Sequence, residues 1–209
     1  MRTLAMISQK GGAGKTTMAV ALAVAAEQRG LPSVLIDLDP QASTGQWGDQ
    51  RSAATPVVTC TPAVRLAPVL AAAQTAGAAL AVIDTTPHAT DAALAAARAS
   101  DLILIPCRPA AADLRAIRAS IDLARLAATP CAVVLNAAPP ANPLTQQGLA
   151  AIAGYGVAAC PVVLHQRIAH VHAFTEGQTA TETAPQSKAA VEVAALFTWL
   201  QERIPDGHL

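Results

Sequence analysis

Short runs of β-branched and other apolar residues alternate along this chain with longer, alanine-rich stretches of helical period. The runs Thr3 to Ser8, Ser33 to Asp37, Leu80 to Asp84, Leu102 to Pro106 and Cys131 to Asn136 are apolar at successive positions, which predicts strands buried on both faces. A weaker strand is predicted at Val57 to Cys60 and another near Val162 to Leu164. Helices are predicted between them at Thr16 to Arg29, Ala63 to Thr75, Asp91 to Ala99, Ala111 to Ala127, Pro143 to Ala153, Arg167 to Glu176 and Ser187 to Arg203. No internal repeat, charge block or low-complexity linker divides the sequence. The expectation is one α/β domain over residues 1–209, doubly wound, with a mostly parallel sheet and helices on both faces. Gln41 to Pro56 and Ala137 to Pro143 each follow a strand and read as loops at the carboxyl end of the sheet, where doubly wound folds place ligands.

Composition narrows the function classes. Hydrophobic residues make up 53% of the 209 and charged residues 13%, against a usual charged share of about 25%. That apolar content excludes disorder, and an aromatic share of 2% excludes a stacking platform for single-stranded nucleic acid. The mean hydropathy of +0.38 reflects alanine, and no run approaches the roughly 18 apolar residues of a membrane-spanning helix. Residues 1–26 imitate a signal peptide, but Lys10, Lys15 and a glycine-rich turn interrupt it. Cys60, Cys107, Cys131 and Cys160 are far apart, form no C-x-x-C pair and read as reduced thiols of a cytoplasmic protein. The formal net charge is zero, so any polyanion contact has to come from a local patch.

Lysine is scarce, and two of the three lysines, Lys10 and Lys15, lie in Gln9-Lys10-Gly11-Gly12-Ala13-Gly14-Lys15-Thr16-Thr17, between the first strand and the first long helix. A loop in that place turns backbone N–H groups and the positive end of the helix towards a phosphate chain. Gly11, Gly12, Ala13 and Gly14 let the backbone approach closely. Lys15 is placed to reach the β and γ phosphates, Thr16 to offer its hydroxyl to Mg²⁺, and Thr17 to bond the α phosphate. The alternative is an ordinary glycine turn capped by threonine.

The strict pattern G-x-x-x-x-G-K-[ST] would place glycine at Gln9 and asks for no lysine at position 10. The run from Lys10 to Thr17 instead resembles the deviant Walker A motif of the ParA/MinD family of P-loop ATPases. The resemblance implies ATP/ADP and Mg²⁺ as cofactors. It also implies a nucleotide-sandwich homodimer, in which Lys10 reaches the partner's ATP like an arginine finger supplied in trans. Val34 to Gln41 resembles the family's second motif, whose acidic residue before Pro-Gln, here Asp39, orients or deprotonates the attacking water. Asp37 is expected to support Mg²⁺ or its waters, and Leu80 to Pro87 resembles a Walker B strand in which Asp84 binds Mg²⁺ through water. A simple turn or helix-cap role is the alternative for each aspartate. Asn136 stands where related NTPases contact the base, and Pro139 occupies the place where a guanine reader needs a carboxylate, which favours ATP over GTP. Cys160 to Leu164 is read either as packing on the adenine or as a plain buried strand.

Pro106 to Leu114, Trp47, His165 to Ile168 and Glu176-Gly177 look like the small plasmid-partition members of the family, of the ParF-like kind. With no helix-turn-helix ahead of the first strand, sequence-specific DNA reading is not expected. Five of the eleven arginines, Arg98, Arg108, Arg115, Arg118 and Arg125, fall within 28 residues. Arg115, Arg118 and Arg167 are the candidates for non-specific phosphate contacts, against a solvated helix face or dimer ion pairs. The leading expectation is a DNA or plasmid partition ATPase, nucleoid-associated, with hydrolysis stimulated by a ParB-like partner. Alternatives are positioning of a protein cargo such as a carboxysome or chemoreceptor cluster, MinD-like membrane association, and metabolic chemistry on the same fold. The stripe Val193, Phe197, Leu200 and Ile204 carries too few cations for a membrane anchor and predicts a docked terminal helix. His165, His170 and His172 fit no standard metal spacing and are assigned no role.

Overall fold

The computed structural model describes residues 1–87 and 90–204. Seven strands form one sheet: β1 (Arg2–Met6), β2 (Ser33–Asp37), β3 (Val57–Cys60), β4 (Leu80–Asp84), β5 (Leu102–Cys107), β6 (Cys131–Leu135) and β7 (Ala158–Ala159). They are ordered β3-β2-β4-β1-β5-β6-β7, and every pairing is parallel. Parallel pairing needs crossovers, and helices supply them on both faces. The strands are α/β and doubly wound, as their apolar runs predict.

Alternation along each strand divides the core in two. Leu4, Met6, Leu80, Val82, Leu102 and Leu104 face one side, and Ala5, Ile7, Ala81, Ile83, Ile103 and Ile105 the other. The first side is covered by α1 (Lys15–Glu27) and α9 (Lys188–Arg203). From Met18 to Ala26 α1 is buried at every position, and its small alanines let it lie between the sheet and α9. Val193, Phe197, Leu200 and Ile204 of α9 are all buried in this layer, so the terminal stripe is core. Among the described residues no helix is long and apolar enough to cross a membrane. The second side carries α4 (Thr90–Arg98), α5 (Ala111–Ala127) and α6 (Leu144–Ala153), and α3 (Leu66–Thr75) adds Leu66.

Two expectations are corrected. Val162 to Leu164 is not a strand: Cys160 N–H donates to Val133 O at 2.8 Å, but Leu135 O accepts from Leu164 N–H at 3.0 Å and not from Val162, so four residues separate two bonds that a parallel ladder spaces by two. The paired strand is Ala158–Ala159. The polar stretch after β2 also holds a helix, α2 (Ser43–Gln50). Its sequence has no apolar period and two glycines; its start is held from outside, by the Asp37 carboxylate accepting from the N–H groups of Thr44 and Gly45.

The other end of α2 is fastened to α8 (Ala180–Thr183) and the turn after α7 (Ile168–Thr175). Trp47 is buried, and its indole N–H donates to Gln178 O. Arg51, its side chain 5% exposed, pairs with Glu182 at 2.7 Å, donates to Gly177 O and lies over the Trp47 ring. Glu182 also caps α8 through Thr179. Removing this carboxylate would leave a buried guanidinium without its charge partner. Glu182→Ala is expected to destabilise the protein by about 2–3 kcal/mol, measured as a lowered denaturation midpoint. Hydrogen bonds and the Arg51 charge outweigh burial and hold the Glu182 carboxyl below its ordinary value. Its stabilisation is therefore present above the carboxylate range and fades as pH falls through the depressed value, and the variant should lack that acid-side loss.

Candidate functional site

The carboxyl ends of β1, β2 and β4 meet at one place, with Met6 and Asp37 both in register with Asp84. The loop from Ser8 to Gly14 leaves β1 and enters α1, which begins at Gly14 without a side-chain cap. The first-turn amides of α1 are thus left for an anion. Gly14 is required: its φ is +93°, and a Cβ there would run into the Asn136 amide. Lys15 is 6% exposed, and its ammonium donates to Ser8 O at 3.2 Å, curling back across the loop. Burial lowers its pKa, while Asp84 and Asp39 raise it. A phosphate in the loop would relieve that desolvation. Lys10, in contrast, is exposed at the mouth of the loop.

Asp84 is 1% exposed. Its Oδ2 accepts from the hydroxyls of Thr16 at 2.6 Å and Thr44 at 2.8 Å, and its Oδ1 has no partner. Burial pushes its carboxyl up to about 6, with the nearby Asp37 charge adding to it against the two hydroxyls and Lys15. One threonine hydroxyl and one carboxylate oxygen in want of a cation suit Mg²⁺, which keeps several waters and takes its remaining ligands from phosphates. Thr16 and Asp84 would hold that ion, which supplies charge neutralisation on the phosphates when bound.

Asp37, expected to support Mg²⁺ or its waters, is engaged here with backbone amides. Its Oδ1 accepts from Asp39 N–H at 2.8 Å and its Oδ2 from Thr44 and Gly45, so it shapes the segment between β2 and α2. Burial nonetheless raises its pKa, more than these bonds lower it. Asp39 itself is partly exposed, accepts from Gln41 N–H at 2.9 Å and lies near enough to Lys15 to act on its charge.

Beside the loop is a cavity of about 300 Å³ lined by Gly12, Gly14, Thr17, Arg108, Asn136, His165, Arg167 and His170 among others. Asn136 reaches it from the end of β6, and its amide N–H donates to Ala13 O at 2.7 Å. Cys160 and Leu164 are buried, and His165, Gln166 and Arg167, just after Leu164, line the wall.

Arg167, a candidate for phosphate contacts, lines the same cavity and is paired within the protein. Its Nη2 donates to Glu192 at 2.7 Å, and the same carboxylate takes the backbone N–H and ring of His165, each at 2.9 Å. The five neighbouring arginines do not form one patch. Arg108 faces the nucleotide cavity, whereas Arg125 binds Asp122 and Tyr155 O beside a separate cavity at the start of β6. Arg115 and Arg118 share an open groove with Gln9, Lys10 and Asp122. The Arg118–Asp122 pair at 3.9 Å is exposed and contributes little.

Arg108, Thr44 and Glu192 were missed from sequence. Arg108 stands in sequence among other arginines, Thr44 lies in the polar stretch expected to be loop, and Glu192 sits between Val191 and Val193 in the alanine- and valine-rich first half of its helix. Among the described residues no group of three His, Cys, Asp or Glu could hold a metal.

An acid whose folded pKa is raised stabilises the folded state while protonated. Metal-free protein should lose on the order of 2–3 kcal/mol as pH rises from about 4 to about 6 and change little from this group above that. Asp84→Asn should show a clearly smaller loss in a series of denaturation curves spanning about pH 4 to 7, the remainder belonging to Asp37, and added Mg²⁺ and nucleotide should restore wild-type stability but not the variant's.

The family description "CobQ/CobB/MinD/ParA nucleotide binding domain" matches residues 4–180. The chain is 38% identical over 130 residues to the "Maintenance of carboxysome distribution protein A" of Gloeobacter kilaueensis, covering 60% of this chain and 57% of that one. It is 30% identical over 114 residues to "Protein ParA" of Rhizobium radiobacter, covering 54% and 51%. These matches thus span little more than half the length of either relative. The apo McdA structure from Cyanothece superposes with a TM-score of 0.80 at 16% identity, covering 96% of this chain and 99% of that one. The chain belongs to the CobQ/CobB/MinD/ParA family of nucleotide-binding domains.

Proposed function

We propose that this protein is a Mg²⁺-dependent ATPase that positions a cargo by switching between a monomer and an ATP-bound homodimer. The observation that carries the reading is the division between its two loop lysines, Lys15 buried against Ser8 O and Lys10 exposed at the mouth. Lys15 serves the protein's own nucleotide, and Lys10 reaches that of the second copy, where an added cation stabilises the transferring phosphoryl group. Asp39, beside Lys15 and outside the closed core, holds the attacking water. Asn136 closes the base side, and Pro139 leaves no carboxylate for guanine, so ATP is the nucleotide.

The dimer binds DNA without sequence preference. Arg115 and Arg118 share their groove with Lys10, so pairing two copies doubles the basic surface there. An activating partner of the ParB kind stimulates hydrolysis and release, and nucleoid association follows from the DNA contacts. A protein assembly as cargo is supported by likeness to a carboxysome distribution protein, and DNA as cargo by likeness to a ParA protein.

ATP turnover by wild type, Lys10→Ala and Asp39→Ala, with and without DNA, tests this. Lys10→Ala should keep ATP affinity within a few-fold and lose about 100-fold or more in turnover, in the range of a trans-acting cation. Normal turnover by Lys10→Ala would overturn the reading. In gel shifts at matched low salt, ATP should raise DNA affinity, and shifts indifferent to nucleotide would rule out the DNA-binding switch.

A further inference from the structure

Thr44 is 0% exposed and makes two polar contacts that belong to different parts of the site. Its hydroxyl donates to Asp84 Oδ2 at 2.8 Å, and its backbone N–H donates to Asp37 Oδ2 at 2.9 Å. Asp37 and Asp84 are register partners at the ends of the adjacent strands β2 and β4, so Thr44 ties both strand ends to the first turn of α2. The other Asp37 oxygen accepts from Asp39 N–H at 2.8 Å, and Asp39 O accepts from Ala42 N–H at 2.8 Å, two residues before Thr44. Gly45 keeps this arrangement close, because a Cβ there would collide with the Cys60 thiol. A short closed frame thereby runs from Asp84 through Thr44 and Asp37 to Asp39.

Asp84 Oδ2 has two hydroxyl donors, and Thr16 is the one placed to turn to a metal. Thr44 remains as the donor that satisfies this buried oxygen and fixes the carboxylate. We propose that Thr44 is a positioning residue that couples the Mg²⁺ carboxylate Asp84 to the water-holding Asp39. It acts through two others, touching neither metal nor nucleotide. The inference rests on the Mg²⁺-ATPase reading above.

The test compares wild type, Thr44→Val, which keeps the shape and loses the hydroxyl, and Thr44→Ser, which restores the hydroxyl. A fluorescent ATP analogue reports nucleotide retention across a Mg²⁺ titration and in EDTA, and steady-state assays separate kcat from KM. Thr44→Val should raise the Mg²⁺ midpoint about tenfold and lower kcat about tenfold, the scale of losing a contact behind a metal ligand. Its affinity in EDTA should stay within twofold of wild type, and Thr44→Ser should recover most of both losses. An unchanged Mg²⁺ midpoint, or an equal loss of affinity in EDTA, would make Thr44 a packing residue only and overturn the proposal. If Thr44→Val does not fold, Thr44→Ala carries the same comparison. Wild type showing no Mg²⁺-dependent retention would instead overturn the function reading.

Discussion

Asp84 lies at the end of a central strand with one carboxylate oxygen held by two hydroxyls and the other by nothing, and burying a negative charge in that way is costly until a cation joins it. The neighbouring groups are desolvated too, though each has hydrogen-bond partners. Asp37 is buried next to it, and Lys15 is buried against a carbonyl with its charge poorly solvated. Two carboxylates and one ammonium therefore share a desolvated corner with incompletely compensated charge, which a metal and a phosphate chain would offset. Their shifted pKa values, both acids raised and the lysine lowered, express that incompleteness.

The fold holds this corner rigid from several directions. The central strands are apolar on both faces and bring Met6, Asp37 and Asp84 into register. Helix α2 is pinned at its start by Asp37 and Asp84 and at its end by Trp47 and Arg51 on the 177–182 segment. Across the nucleotide cavity, Glu192 of α9 gathers His165 and Arg167 and so ties the base-side wall to the layer that covers α1. Helix α9, its apolar stripe buried in the core, is thus part of the support for the site.

Much of this was legible in the sequence. Strands such as Ser33–Asp37 and Leu80–Asp84 end where the apolar run ends, because burial on both faces leaves no other pattern for them. The phosphate loop was legible because its chemistry is local: consecutive glycines, a lysine and two threonines at a strand-to-helix turn. What was missed is held by distant partners. Helix α2 depends on a carboxylate contributed by β2, and the expected strand at Val162 to Leu164 slips out of the ladder, its bond to Leu135 O coming from Leu164 and not from Val162. Arg167 looked like a surface cation until Glu192, 25 residues later, was seen to meet it. The arginine group was close in sequence, but strand β5 and helix α5 deliver its members to different sides of the molecule.

The central claim is that the exposed Lys10 and the buried Lys15 act on two different nucleotides, which requires a second copy of the chain. Sedimentation velocity of hydrolysis-blocked Asp39→Ala, with Mg²⁺-ATP and with Mg²⁺-ADP, tests it most directly. The account predicts a doubled mass with ATP and a monomer with ADP. A monomer in both, at concentrations where ATP is shown to be bound, would contradict it.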